Sequence, residues 1–107
     1  MALVYLLGDS GQDDIFKIGV TKGEIENRIK QLQTGNGSEI YLVNFYETQY
    51  PFFMERALHA RFNPQKKKNE WFILSAQDVI DFKKTCMKIE ENAKALKNNP
   101  FAKKMLK

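Results

Sequence analysis

The chain has 107 residues, of which 43% are hydrophobic and 12% aromatic, and its formal net charge is +4. This size and composition predict one domain with a single small core and exclude an intrinsically disordered chain. The lone Cys86 excludes an internal disulfide and a cysteine-rich zinc site. We expect neither a signal peptide nor a bilayer-spanning segment, and therefore an intracellular, cytoplasmic protein with no membrane partner.

The positive charge is concentrated in the second part of the chain. Residues 1–62 carry a net charge of −2, whereas residues 63–107 carry +6, including three consecutive lysines, Lys66, Lys67 and Lys68. Such a basic segment favours a polyanionic partner through counterion release. It is equally typical of a solvated face that only aids solubility.

The first half of the chain predicts a hairpin, a helix and a third strand. Residues 2–7 and 15–21 are β-forming runs joined by a loop over residues 8–14, and alternation places Lys17 and Gly19 together, away from the core face. Apolar residues at helical spacing begin after Glu24, with Arg28 bordering their stripe, and Gly35 can end this helix. Residues 40–47 then predict a third strand.

The second half predicts two further helices. Pro51 suits the first turn of a helix that runs to about Phe62, and residues 65–69 form a basic loop before a short strand or extended segment at 70–74. A last helix is predicted over residues 76–97, with Ser75 and Asp78 as its capping box. Its apolar stripe consists of Val79, Phe82, Cys86, Ile89, Ala93 and Leu96.

These elements predict an α+β fold with a three-stranded, mostly antiparallel sheet flanked by helices and a long C-terminal helix. We expect residues 1–97 to form the domain and residues 98–107 to form a basic flexible tail. The stripe of the last helix must be buried, either against the sheet or a neighbouring helix, or in part against a second copy or another protein partner.

One group of polar residues has the composition of a phosphodiesterase site. Glu55 and His59 lie one turn apart on the second predicted helix, and a carboxylate there suits Mg²⁺. Arg28 can hold a phosphate with its planar fork, Lys17 can add a point charge, and Tyr5 offers a phenol that could position or deprotonate a water molecule. Each of these residues alone is more often an ordinary surface or core residue.

Trp71 has two possible roles: it can stack on a base, or it can close the core beside Phe72. The sequence contains no Cys-His dyad, glycine-rich phosphate loop or zinc ligand set. Metal-assisted phosphodiester chemistry is therefore the reaction class whose parts are present.

The order of elements and these motifs resemble the GIY-YIG nuclease superfamily, in particular its small phage-type branch with KIG-x-T, E-x-x-x-H and EWF motifs. The resemblance covers roughly residues 3–83: residues 3–5 stand at the GIY triplet, residues 17–19 at the YIG triplet, Arg28 at the helix arginine and Glu55 at the metal ligand. Glu70-Trp71-Phe72 marks the branch and is expected to buttress the core.

The resemblance implies a mechanism with one metal ion. Tyr5 would act as general base, Arg28 would stabilise charge on the phosphate, and Mg²⁺ or Mn²⁺ on Glu55 would assist the leaving oxygen, giving a free 3′-hydroxyl end. Lys17 replaces the second tyrosine of the signature, and Leu32 replaces a histidine or tyrosine found in many of these nucleases, whose part His59 could take.

The sequence thus predicts a metal-dependent endonuclease with catalytic Tyr5, Lys17, Arg28 and His59 and metal ligand Glu55, acting on nucleic acid, with DNA favoured over RNA. Lys66, Lys67, Lys68 and Trp71 are its predicted nucleic-acid-binding residues. Two alternatives stay open: a binding module that has lost efficient catalysis, and a protein-interaction factor that forms a homodimer or engages a partner through its last helix.

Overall fold

The computed structural model describes residues 1–101, in which five antiparallel strands form one sheet of order β3-β1-β2-β5-β4. The strands are β1 Ala2–Asp9, β2 Gln12–Thr21, β3 Ile40–Thr48, β4 Lys66–Lys68 and β5 Trp71–Ile73. The prediction of a three-stranded sheet was therefore wrong. The α+β class is as expected, but two short strands extend the sheet beyond β2.

The number of strands in the sheet was predicted too low for a physical reason. Residues 65–69, which contain β4, were predicted as a basic loop, and residues 70–74, which contain β5, as a short strand or extended segment that was not counted in the sheet. β4 consists of three exposed lysines and β5 has only three residues, so neither shows the apolar alternation that identifies a strand in a sequence. Their strand conformation depends on partners: β5 pairs with β2 and β4 pairs with β5. Pairing with a neighbouring strand overrides the weak local preference of this segment.

Four helices accompany the sheet: α1 Ile25–Gln33, α2 Pro51–Arg61, α3 Ala76–Ile80 and α4 Phe82–Lys97, with a 3-10 turn at Asn63–Gln65. Within residues 1–101 no helix is both long enough and apolar enough to cross a membrane. The predicted tail over residues 98–107 falls largely on residues 102–107, which lie outside the described residues.

The single last helix of the prediction is interrupted once. Its capping box is present, since Ser75 accepts from the Asp78 amide and the Asp78 side chain accepts from the Ser75 amide. The backbone leaves helical geometry at Asp81, where ψ is 6°. Asp81 still donates to Gln77 O, and Thr85 donates to Asp81 O, so the interruption is local.

The two faces of the sheet carry different cores. One face holds the main core, in which Val4, Leu6 and Ile18 pack with residues of α2 and α4. The other face holds a smaller cluster, Tyr5, Leu7 and Ile40, which is covered by the apolar stripe of α1. Because side chains alternate along a strand, the second face also carries Lys17 and Gly19 of β2.

Candidate active site

The site begins with a close crossing between the first two strands. Tyr5 is fully buried and is paired across the sheet with Gly19. The phenol ring passes directly over the glycine: a Cβ atom added there would lie 2.6 Å from Tyr5 Cζ. Glycine is therefore required at this position for a tyrosine to lie flat across β2.

The Tyr5 hydroxyl is held by the first helix. Arg28 Nε donates to it over 3.2 Å, and Arg28 also donates to the side chain of Gln31. Burial raises the pKa of the Tyr5 phenol above its ordinary value, although the hydrogen bond and charge of Arg28 act in the opposite direction. The phenol therefore retains its proton at neutral pH in this state.

The second helix brings Glu55 and His59 beside β2, just past the segment of that strand that pairs with β5. β5 pairs with β2 over residues 15–17, and the next carbonyl, that of Ile18, lies 2.8 Å from His59 Nε2. A carbonyl oxygen only accepts, so Nε2 is the donor, and in the neutral imidazole Nδ1 is the nitrogen that has the lone pair. The imidazole also packs against Phe72, with ring centroids 5.0 Å apart.

A third polar side chain, Glu70, enters the site from the turn between β4 and β5. Asn69 has a φ of 53° in this turn, a conformation that asparagine tolerates better than most residues. The Glu70 carbonyl accepts from the Ile18 amide, and its carboxylate forms an ion pair with Lys17, with 3.0 Å between Nζ and Oε1. Lys17 is itself buried, and its ammonium lies 5.6 Å from the Trp71 ring centroid.

Glu55, His59 and Glu70 form a potential metal-binding group, since one ligand atom from each lies within 4.8 Å of the other two. Burial raises the pKa of the Glu55 carboxyl, and the negative charge of Glu70 raises it further, while His59, Lys17 and Arg28 lower it. Two carboxylates brought this close together suit a divalent cation, because such ions bind carboxylate oxygens and offset the repulsion between the two negative charges.

The predicted nucleic-acid-binding residues lie beside this site on the sheet. Lys66, Lys67 and Lys68 are all exposed on β4, and Lys67 donates to Gln12 Oε1. Lys67, Lys68 and Trp71 line one cavity of about 300 Å³. Trp71 is half-buried: it packs against the Tyr5 cluster with Lys17 over its ring, and it also lines this cavity.

The structure therefore joins the predicted site residues in two linked groups. Tyr5 and Arg28 are hydrogen-bonded, while Glu55 and His59 are grouped with Glu70, which pairs with Lys17. The two groups are near enough for the charges of Glu70 and Glu55 to raise the pKa of Tyr5. Leu32 packs in the stripe of α1 against the Tyr5 cluster. The sequence interpretation had placed Glu70 among residues that buttress the core, because its position beside Glu55 and His59 depends on how β4 and β5 pair with β2.

The fold and the site together define a small α+β domain in which cationic side chains and carboxylates cluster around β2 of an antiparallel sheet. The family model of the T5orf172 domain matches residues 2–87, so the chain belongs to this phage-associated family. Comparisons with curated proteins and with solved structures gave no match.

Proposed function

We propose that this domain is a metal-dependent endonuclease of the GIY-YIG type that hydrolyses phosphodiester bonds in DNA. The observation that carries the proposal is the meeting of the Tyr5–Arg28 pair with Glu55, His59 and Glu70 beside Lys17. Membership of the T5orf172 family is consistent with a nuclease or another nucleic-acid-related role. A phosphodiester needs cations for its oxygens and a group that positions water, and this cluster offers both.

In this proposal each side chain has a role that follows from its contacts. Arg28 is only partly buried, so its fork can turn toward a phosphate, and Lys17 adds positive charge from β2. A divalent ion bound at Glu55 would neutralise charge on the phosphate and on the leaving oxygen.

Arg28 also controls access to Tyr5. Because Tyr5 is fully buried with its hydroxyl bonded to Arg28, a water molecule can reach that hydroxyl only after Arg28 moves. A bound phosphate would attract the guanidinium and expose the phenol, so nucleic acid would itself complete the site. Tyr5 would then orient the attacking water and, once ionised, accept its proton.

A plasmid-nicking assay with Mg²⁺ or Mn²⁺ tests the proposal. Glu55→Gln and Tyr5→Phe should each lower the nicking rate by about 10²-fold or more, since they remove a metal ligand and the water-positioning phenol. Glu26→Gln is the matched control, because Glu26 is an exposed glutamate in the first turn of α1. Nicking that Glu55→Gln and Tyr5→Phe leave at the parent rate would overturn the catalytic assignment.

A binding module without efficient catalysis is the second candidate, and the exposed lysines of β4 favour it. It predicts gel shifts that weaken steeply with salt and no metal-dependent cut. Replacing Lys66, Lys67 and Lys68 by glutamine should make nucleic-acid binding less dependent on salt concentration, by the amount expected for the loss of up to about three phosphate contacts. Metal-dependent nicking that survives the triple replacement would favour the enzyme.

A protein partner or a second copy on the last helix is a third proposal. Phe82, Cys86 and Ala93 of the predicted stripe are buried within this domain, whereas Ile80 and Met87 are exposed. Met87→Glu is therefore the informative variant, because a charge at Phe82 would disrupt the core. Light scattering that shows an oligomer in the parent and a monomer in Met87→Glu would support this proposal.

A further inference from the structure

We propose that Glu70 and His59 are metal ligands together with Glu55, so that this site prefers a first-row transition ion such as Mn²⁺ to Mg²⁺. The inference rests on the proposed nuclease function and concerns the metal of that same site. It departs from a one-carboxylate site, because three donors from two separate elements lie within 4.8 Å of one another.

The orientation of His59 is the first argument. Its Nε2 donates to the Ile18 carbonyl over 2.8 Å, so in the neutral imidazole Nδ1 has the lone pair that a metal would take, and Phe72 packs against the ring. A histidine that binds a metal typically donates its other ring N–H to a backbone carbonyl or a carboxylate, which fixes the tautomer and the ring. His59 already has that outer hydrogen bond.

The placement of Glu70 is the second argument. The Ile18 amide donates to the Glu70 carbonyl, and the Ile18 carbonyl accepts from His59. One residue of β2 therefore positions the backbone of Glu70 and the imidazole of His59 beside the same strand. This arrangement is more than a group of acidic side chains, because the backbone of a central strand determines where each donor sits.

The ion pair between Lys17 and Glu70 is compatible with a metal. Lys17 Nζ contacts Oε1 of the Glu70 carboxylate, and a carboxylate has two oxygens that accept several partners. Lys17 would thus remain as an outer partner that orients Glu70, as the Ile18 carbonyl orients His59.

The donor types determine the metal class. Mg²⁺ prefers oxygen ligands and usually retains several waters, whereas an imidazole favours first-row transition ions. Two carboxylates and one imidazole therefore favour Mn²⁺ over Mg²⁺, and the His59 contribution should be visible as selectivity. His59→Gln should weaken Mn²⁺ binding much more than it weakens Mg²⁺ binding.

The test measures metal binding by the full chain without nucleic acid. Mn²⁺ is titrated by electron paramagnetic resonance and calorimetry, with Mg²⁺ as competitor, into the parent, Glu70→Gln, His59→Gln and the exposed control Glu26→Gln. We expect Glu70→Gln and His59→Gln each to weaken Mn²⁺ binding by about ten-fold or more, and Glu26→Gln to leave it unchanged. Both site variants keep the side-chain size, and the amide of glutamine at position 59 can still donate to Ile18.

A second measurement does not depend on variants. Paramagnetic broadening by Mn²⁺ in amide spectra should be strongest around Ile18, His59 and Glu70. If Glu55→Gln abolishes Mn²⁺ binding while Glu70→Gln and His59→Gln bind as the parent does, the three-ligand site is refuted and the one-carboxylate nuclease survives. If the parent neither binds Mn²⁺ nor nicks plasmid with any divalent ion, both proposals fail.

Discussion

The crossing of Tyr5 over Gly19 predicts a large cost for one added methyl group. In Gly19→Ala the new Cβ would lie 2.6 Å from Tyr5 Cζ and 2.9 Å from Cε1. The ring is fully buried, so it can yield only by displacing its neighbours. Overpacking of this kind costs about 1–3 kcal/mol, which corresponds to a fall of roughly 5–15 °C in melting temperature for a domain of this size.

Gly8→Ala is the matched control, because it creates the same kind of contact with a different neighbour. Its Cβ would lie 2.5 Å from Tyr41 Cζ, but Tyr41 is 41% exposed and can swing into solvent. Neither glycine has a positive φ, so the comparison isolates packing from backbone strain. We expect Gly8→Ala to cost less than about 1 kcal/mol in urea denaturation, since surface rearrangements are cheap.

A double-mutant cycle tests the cause directly. Tyr5→Leu removes the ring, so Gly19→Ala should cost much less in that background than in the parent, with a coupling of about 1 kcal/mol or more. Equal costs for Gly19→Ala and Gly8→Ala, or no coupling between positions 5 and 19, would show that the crossing does not constrain the glycine.

Three further outcomes follow from the raised pKa values. Burial raises the pKa of Tyr5, so if the phenol acts as base, nicking should rise about ten-fold per pH unit from pH 6 to 9, and a flat profile would exclude that role. Burial also raises the pKa of Glu55, so the folded state binds this proton more tightly than the unfolded state does, and stability is lost as the pH rises from the unfolded pKa to the folded pKa. Glu55→Gln should therefore have a higher melting temperature than the parent at pH 7, and calorimetry should show this difference vanishing near pH 3. Burial raises the pKa of Cys86 to about 12, so a thiol reagent at pH 8 should label it only on unfolding, and rapid labelling of the native protein would contradict this burial.

The parts of the fold that could be predicted from the sequence are those with strong local patterns. Pro51 marks the start of α2, Gly35 with its φ of 80° follows the end of α1, and Ser75 with Asp78 forms the expected capping box. The hairpin was predicted with a long loop, yet β1 and β2 extend to Asp9 and Gln12. Polar residues can continue a strand when cross-strand partners supply the hydrogen bonds, and a sequence pattern does not reveal those partners.

In the candidate site too, local contacts could be predicted from the sequence and contacts between distant segments could not. Glu55 and His59 could be paired from the sequence because helix geometry fixes the relation between residues four apart. Glu70 could not be added to them, because its position depends on how β4 and β5 pair with β2. A contact that spans the sheet requires tertiary structure, whereas a contact within one helix turn does not.

Glu70 explains how a lysine is accommodated at position 17 of β2. Position 17 faces the covered side of the sheet, where an unpaired ammonium would be costly, and the Glu70 carboxylate supplies its counter-charge at 3.0 Å. The two residues are therefore expected to be coupled: Lys17→Met should leave Glu70 without its partner, and Glu70→Gln should leave Lys17 without its own. Since β5 places Glu70 beside β2, the EWF segment and the KIG segment form one structural unit, and replacing one of them without the other should destabilise the site.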